Sequence, residues 1–319
     1  MRFENPVKSH RGPWFTEPAE VARSKLPNLP DHVRPYVAEL VQDGITVIKS
    51  AVPKVTCAAL IERFRALAAL NMEKFSKFLD KDGHYPRIAN LHAAMPELFD
   101  LFAKNSVAYD VQSAMFGATP CLYTSLFYER GSEQDIHRDS PYFCTKPENF
   151  YLGVWVALEE AKLENGALTA IRGGHRIPEP DRAAIALRHF QDLNALPSSS
   201  TALWDDYQAE VQRLCALAGL KKTSIYAEPG DTIIWHPQLP HGGGEIRDFT
   251  RSRFSFVMHT TPVGMPVYHH DKFFSPGAPA AMDSRWEYGI RDDRHFVAHA
   301  QVDFGHRELF PAHTFKQPP

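Results

Sequence analysis

The sequence predicts a mainly β protein, a sandwich or barrel, with helices on its flank. Three observations carry this. After residue 118 short apolar runs recur between turn signals. Before it, apolar residues return at intervals of three and four, the spacing of a helix face. A helical stretch, 180–222, interrupts the strands and predicts a lid or side wall.

In chain order, residues 1–30 are polar and Pro-containing and read as an irregular arm. A helical flank follows over 31–117. Val33 to Val41 reads as helix and Gly44-Ile45-Thr46-Val47-Ile48 as a short strand. Thr56 is placed to cap a helix carrying Leu60, Ile61, Phe64 and Leu67. Pro96 to Met115 reads as a second helical stretch with Leu98, Phe99, Phe102, Val107 and Val111 as its apolar side. The core spans 118–262, with strands at Cys121–Tyr128, Tyr151–Leu158, Ala167–Ile171, Ser224–Ala227, Asp231–His236 and Arg253–Thr260. Turn signals such as Glu164-Asn165-Gly166 and Glu228-Pro229-Gly230 separate them. Residues 263–319 are rich in aromatics and histidine without clear periodicity and form a C-terminal extension. The whole reads as a single domain.

With 44% hydrophobic and 23% charged residues, the 319-residue chain has the balance of a globular protein with a sizeable core. A net charge of -3 offers no basic excess for nucleic acid or an acidic membrane surface. No apolar run approaches the roughly 20 residues that span a bilayer, and the N-terminus lacks the apolar core of a secretory signal. Cys57, Cys121, Cys144 and Cys215 form no Cys-x-x-Cys pair. They read as reduced, mostly buried thiols of a cytoplasmic protein, a monomer or homodimer.

The chemistry concentrates in Asp135-Ile136-His137-Arg138-Asp139-Ser140. Residues i and i+2 of an extended segment share a face, so His137 and Asp139 address one ion and Arg138 points away. A third ligand must come from elsewhere. His241, in Leu239-Pro240-His241-Gly242-Gly243-Gly244, suits best, since glycines beside a ligand allow close approach. His236 competes with it, and His269-His270-Asp271 supplies a second His-x-Asp. His175 reads as a turn residue. Two histidines and one carboxylate leave about three positions open on an octahedral ion, the arrangement of non-haem iron(II) oxygenases. Those positions suit a bidentate 2-oxo acid and then O₂.

A 2-oxo dicarboxylate also needs a cation at its far carboxylate, and arginine's planar fork suits it. Alternation in Arg253–His259 places Arg253, Ser255, Val257 and His259 on one face, opposite Phe254, Phe256 and Met258. Arg251 is the rival. Arg130, Arg138, Arg172 and Arg176 are candidates to gather at the mouth and favour an anionic substrate. Tyr142, Phe143 and Trp235 are candidate apolar walls.

At this point the sequence resembles the phytanoyl-CoA dioxygenase family of 2-oxoglutarate oxygenases. The matching segments stand in the family's order over roughly 35–260: Asp43-Gly44 with its strand, His137-Arg138-Asp139-Ser140, Tyr151 to Glu160, Asn165-Gly166-Ala167-Leu168, Gly173-Gly174-His175-Arg176, Gly230-Asp231 through His241-Gly242, and Arg253. The resemblance implies a double-stranded β-helix, or jelly-roll, core. It implies that His137, Asp139 and His241 hold Fe(II), that Arg253 pairs with 2-oxoglutarate, and that Trp155 lines the cosubstrate pocket. The chain departs from the family at Gly243, where many members have Ser, and at Arg172, where Pro is usual. The implied activity is dioxygenase chemistry on a small molecule, such as hydroxylation of an unactivated C–H bond. With Asp139 present, no position is freed for halide. A zinc-dependent hydrolase on the same three ligands and a non-catalytic jelly-roll binding protein are the alternatives.

Overall fold

The computed structural model describes residues 12–278 and 286–319. Eleven strands lead through the core: β1 (Ile45–Ile48), β2 (Ile88–Ala89), β3 (Pro120–Tyr128), β4 (Cys144–Thr145), β5 (Leu152–Ala157), β6 (Leu168–Ile171), β7 (Lys222–Ile225), β8 (Thr232–Trp235), β9 (His241–Gly243), β10 (Ser255–Pro262) and β11 (Val267–Tyr268). The extension adds β12 (Tyr288–Arg291), β13 (Arg294–Val297), β14 (Gln301–Phe304) and β15 (Glu308–Pro311). The large sheet runs β1-β8-β5-β10-β3-β2-β14-β15, with the β12–β13 hairpin joined to β3. A smaller antiparallel sheet, β7-β6-β9, faces it across a jelly-roll interior.

The alternation in β10 divides as the sequence predicts. Phe254, Phe256 and Met258 join the main core, packed with Phe64, Phe127, Val154, Val156 and Ile234 on the helical side. Val257 points the other way, into a cluster with Trp155, Ile233, Trp235, Leu168 and Ala170 between the sheets. Each fully buried apolar side chain of this kind contributes about 1.5–3 kcal/mol. The helix Lys54–Leu70 supplies Cys57, Leu60, Ile61, Phe64 and Leu67, spaced to cover the outer face of the large sheet. The inner face is thereby left for the site.

Several local expectations need correction. Thr56 is not a cap: the helix already starts at Lys54 behind Pro53, whose fixed φ near -58° presets the entry. Pro96 to Met115 is broken into Pro96–Phe99, Asp100–Ala103 and Ser106–Phe116, because Asn105 accepts from the Ala108 N–H and restarts the helix. The predicted arm is not irregular throughout. Ala19–Lys25 is helical, and Phe15 and Ala22 are buried in the main core, while 1–11 lie outside the described residues. The 180–222 stretch does fold into helices, Arg182–Leu187 and Thr201–Leu217. All four cysteines are buried and free. Among the described residues, no helix is long and apolar enough to cross a membrane.

Burial also governs the histidines. It pushes His92 down to about 3, and His175 and His270 down to about 4, from an ordinary 6.5. All three are neutral in the fold. Below about pH 6.5 the unfolded chain takes up protons that the fold refuses, so stability is lost as pH falls from there toward 4. The melting temperature of the metal-free protein is expected to drop steadily across that window. A flat profile would contradict the assignment.

Candidate metal centre

The site is built on one backbone bridge. His137 N–H donates to His241 O at 2.8 Å and His241 N–H donates to His137 O at 2.9 Å. This pair extends the small sheet past β9 and sets the two imidazoles side by side, ring centroids 4.7 Å apart. The chain can run this close only because β9 continues in glycine. A Cβ on Gly242 would lie 2.4 Å from Gln134 O, and one on Gly243 would lie 2.5 Å from Ser132 Oγ. A side chain at Gly243 has no room here.

Both rings are held in one tautomer. His137 Nδ1 faces Asp135 O at 2.6 Å and His241 Nδ1 faces Leu239 O at 2.9 Å. A carbonyl only accepts, so each Nδ1 carries a proton and each Nε2 is the atom turned to the Asp139 carboxylate. The Nε2 atoms meet the Asp139 carboxylate at 3.4 Å (His137 to Oδ1) and 3.5 Å (His241 to Oδ2). Among the described residues, this is the one group of three such side chains with ligand atoms within 4.8 Å of one another, and all three are buried. Burial raises the Asp139 carboxyl, but His241 and His137 outweigh it and hold it well below the usual carboxylate range. Burial pushes His241 down to about 4 against the pull of Asp139. Two imidazoles and one carboxylate, their donor atoms converging, fit a divalent ion.

Asp139 is itself clamped, by residues the sequence reading did not connect to it. Tyr151 donates its O–H to Oδ2 at 2.6 Å, and Trp235 donates Nε1–H to the same oxygen at 3.1 Å. Trp235 lies across Gly153, its register partner; a Cβ there would be 2.0 Å from the indole. With Oδ2 so occupied, Oδ1 is left as the better metal donor. Outer partners of this kind are worth tenfold to hundredfold in metal affinity. Tyr151→Phe is therefore expected to weaken Fe(II) binding by about tenfold or more, read by competition with a fluorescent chelator. Unchanged affinity would remove the clamp from the account.

Arg253 lies just ahead of β10, buried, with its guanidinium 5.5 Å over the Trp155 ring. Nη1 donates to Gly166 O at 2.8 Å, while Nε is buried without a partner. Burial pushes its pKa down to about 10, so it stays charged near neutrality. Arg253 and Trp155 both line the cavity that holds the His/Asp/His group. Ser255, on the same face and a candidate cosubstrate contact from its place in the alternation, is not in the cavity lining; its Oγ accepts from Arg253 Nη2 at 3.4 Å. Arg251 is committed elsewhere, to Glu160 at 3.0 Å.

The predicted arginine cluster at the mouth does not form. Arg138 is fully buried and directed away from the metal site, bound to Glu179 and Gly174 O. Arg172 pairs with Asp43, Arg176 with Val41 O, and Arg130 with Phe249 O. Arg87 faces the cavity instead, beside Tyr128. No periodicity marks it, because it precedes a strand of only two residues. The proposed apolar walls Tyr142, Phe143 and Trp235 do line the cavity, joined by Trp204 from the helical insertion.

That cavity has a volume of about 1230 Å³, and the C-terminal extension forms part of its wall through His299, Gln301, Asp303 and His313. The competing histidines stand outside the ligand group, although His269 also lines the cavity. His236 packs against Phe15 and His175, and its Nδ1 accepts from Gln238 N–H. His270 Nδ1 accepts from Ser200 N–H, and His269 bonds Tyr142 O. His175 sits in a 3-10 turn against Val41 O, as read from the sequence.

A jelly roll with a buried His/Asp/His group and a buried arginine in one cavity is a cupin-type fold with a candidate metal centre. Residues 40–252 match the phytanoyl-CoA dioxygenase (PhyH) family, and the chain belongs to that family. A probable phytanoyl-CoA dioxygenase of Caenorhabditis elegans is 27% identical over 117 residues, 36% of this chain and 32% of the relative. A phytanoyl-CoA dioxygenase domain-containing protein 1 of Danio rerio is 33% identical over 101 residues, 30% of this chain and 33% of the relative. The chain thus spans about a third of the curated relatives it matches. Among solved structures, the 2-oxoglutarate-dependent carbocyclase SnoK of nogalamycin biosynthesis superposes with a TM-score of 0.55 at 15% identity, covering 80% of this chain and 93% of that one. EctD of S. alaskensis, solved with 2-oxoglutarate and 5-hydroxyectoine, gives 0.52 at 18% identity, covering 77% and 84%. At these identities the structures show the fold alone.

Proposed function

We propose that this protein is an Fe(II)- and 2-oxoglutarate-dependent oxygenase that hydroxylates an unactivated C–H bond of a small molecule. The observation that carries this is the pairing, in one cavity, of converging His137, Asp139 and His241 donors with the buried, incompletely bonded Arg253. His137 Nε2, Asp139 Oδ1 and His241 Nε2 hold the metal. Arg253 receives the far carboxylate of 2-oxoglutarate, with Trp155 packed beneath its guanidinium. Iron(II) supplies O₂ activation coupled to oxidative decarboxylation of the 2-oxo acid. Trp204, 5.6 Å from His137, and Tyr142, 5.1 Å from Trp204, wall the centre from water. The cavity far exceeds the needs of 2-oxoglutarate, which supports a sizeable primary substrate.

A zinc hydrolase on the same ligands has no use for a buried arginine in the metal cavity. Fe(II)-loaded protein is expected to convert 2-oxoglutarate to succinate in an O₂-dependent, chelator-sensitive reaction. Ester or amide hydrolysis by the zinc-loaded protein, with 2-oxoglutarate untouched, would overturn the proposal.

A further inference from the structure

The cavity holds one more buried group whose partner is missing. His259, on β10, is 4% exposed, lines the cavity, and its Nε2 is buried without a hydrogen-bond partner. Its Nδ1 lies 2.6 Å from Tyr151 Oη. Phe143 stacks on the imidazole at 4.2 Å and fixes its plane.

The proton positions along this chain of bonds follow from counting. Tyr151 Oη carries one proton. It lies 2.6 Å from Asp139 Oδ2, an ionised carboxylate oxygen that only accepts. The phenolic proton must therefore go to Asp139. Tyr151 Oη then accepts from His259, so His259 Nδ1 carries that imidazole's proton. Burial holds the imidazole neutral, at about 4. Nε2 is left with a bare lone pair and no partner within the fold, on a residue that lines the cavity.

The cosubstrates do not satisfy it. Ionised 2-oxoglutarate offers carboxylate and keto oxygens, and O₂ offers none but acceptors. Resting on the oxygenase reading above, we infer that His259 Nε2 is a specificity determinant: it accepts a hydrogen bond from a hydroxyl or N–H group of the primary substrate. A buried acceptor left unpaired is costly, so the site discriminates against analogues lacking that donor. The substrate class is thereby narrowed to molecules with an O–H or N–H, held among the rings of Phe143, Tyr142 and Trp204.

The test uses ¹⁵N-histidine-labelled full-length protein loaded with redox-inert Zn(II) and 2-oxoglutarate. His259 signals are assigned by their loss in His259→Phe. Expected is an unprotonated Nε2 and a protonated Nδ1. Phenol, a ring-borne donor, should move the Nε2 resonance, and anisole, which lacks the O–H, should not. His259→Phe should weaken phenol binding by about tenfold or more; His259→Gln, which keeps an acceptor, should weaken it less. A protonated Nε2, an equal response to anisole, or no response to phenol would overturn the inference. Anaerobic Fe(II) and 2-oxoglutarate are added to the unlabelled wild type in parallel. A 2-oxo-acid charge-transfer band beside a protonated Nε2 defeats only this inference, whereas absence of the band defeats the reading beneath it.

Discussion

Replacing Asp139 by alanine is expected to abolish 2-oxoglutarate turnover and to weaken Fe(II) binding by more than about 100-fold. Changing an outer partner of a metal ligand already costs 10–100-fold, so loss of a ligand costs more. Asp139 is the only carboxylate of the group, and two imidazoles alone leave the ion's charge unbalanced. The substitution also strands the Tyr151 O–H and the Trp235 Nε1–H that Asp139 accepts. Circular dichroism and metal affinity separate loss of the site from loss of the fold. Succinate formation near the wild-type rate in a folded variant would remove the triad from the account. His137→Ala should behave similarly.

Arg253→Leu is expected to raise the KM for 2-oxoglutarate by about 30-fold or more. Truncating one side of a buried, hydrogen-bonded charge pair costs roughly 2–5 kcal/mol, and every 1.4 kcal/mol is about tenfold. Leucine fills much of the volume over Trp155 but offers no donor. Fe(II) affinity should change little, because Arg253 makes none of the described contacts to the three ligands. Arg251→Leu is the contrast. That side chain is half-buried against Glu160 and outside the cavity lining, so KM should barely move. An unchanged KM in Arg253→Leu with a raised KM in Arg251→Leu would reverse the assignment.

How much of this was legible depends on where the side chains point. Strands β3, β5, β8 and β10 lie within two residues of their predicted bounds, because their apolar runs are bracketed by turns that the fold keeps. His137 and Asp139 could be read together because they are two residues apart. His241 could be favoured over His236 because glycines follow it, and those glycines are needed for the passing 132–135 segment. The extension was not legible. Tyr288–Arg291 and Glu308–Pro311 are largely exposed, so burial imposes no alternation on them. The four arginines do not gather at the mouth, because the sequence does not show which partners the fold brings to them. Asp43, Glu179 and Val41 O, all from other elements, claim three of the four. Tyr151 and His259 left a fainter signal. Tyr151 is four residues from Trp155 on one extended run, and His259 falls on the predicted face of Arg253. The missing step was the link to Asp139, which only the fold makes.

The most direct test of the central claim is anaerobic titration of Fe(II)-loaded protein with 2-oxoglutarate, followed by visible absorption. Chelation of a 2-oxo acid by ferrous iron gives a weak charge-transfer band. The account requires a saturable band in the wild type, absent in His241→Ala and displaced to higher 2-oxoglutarate concentration in Arg253→Leu. No band in the wild type, with zinc retained tightly in place of iron, would contradict it.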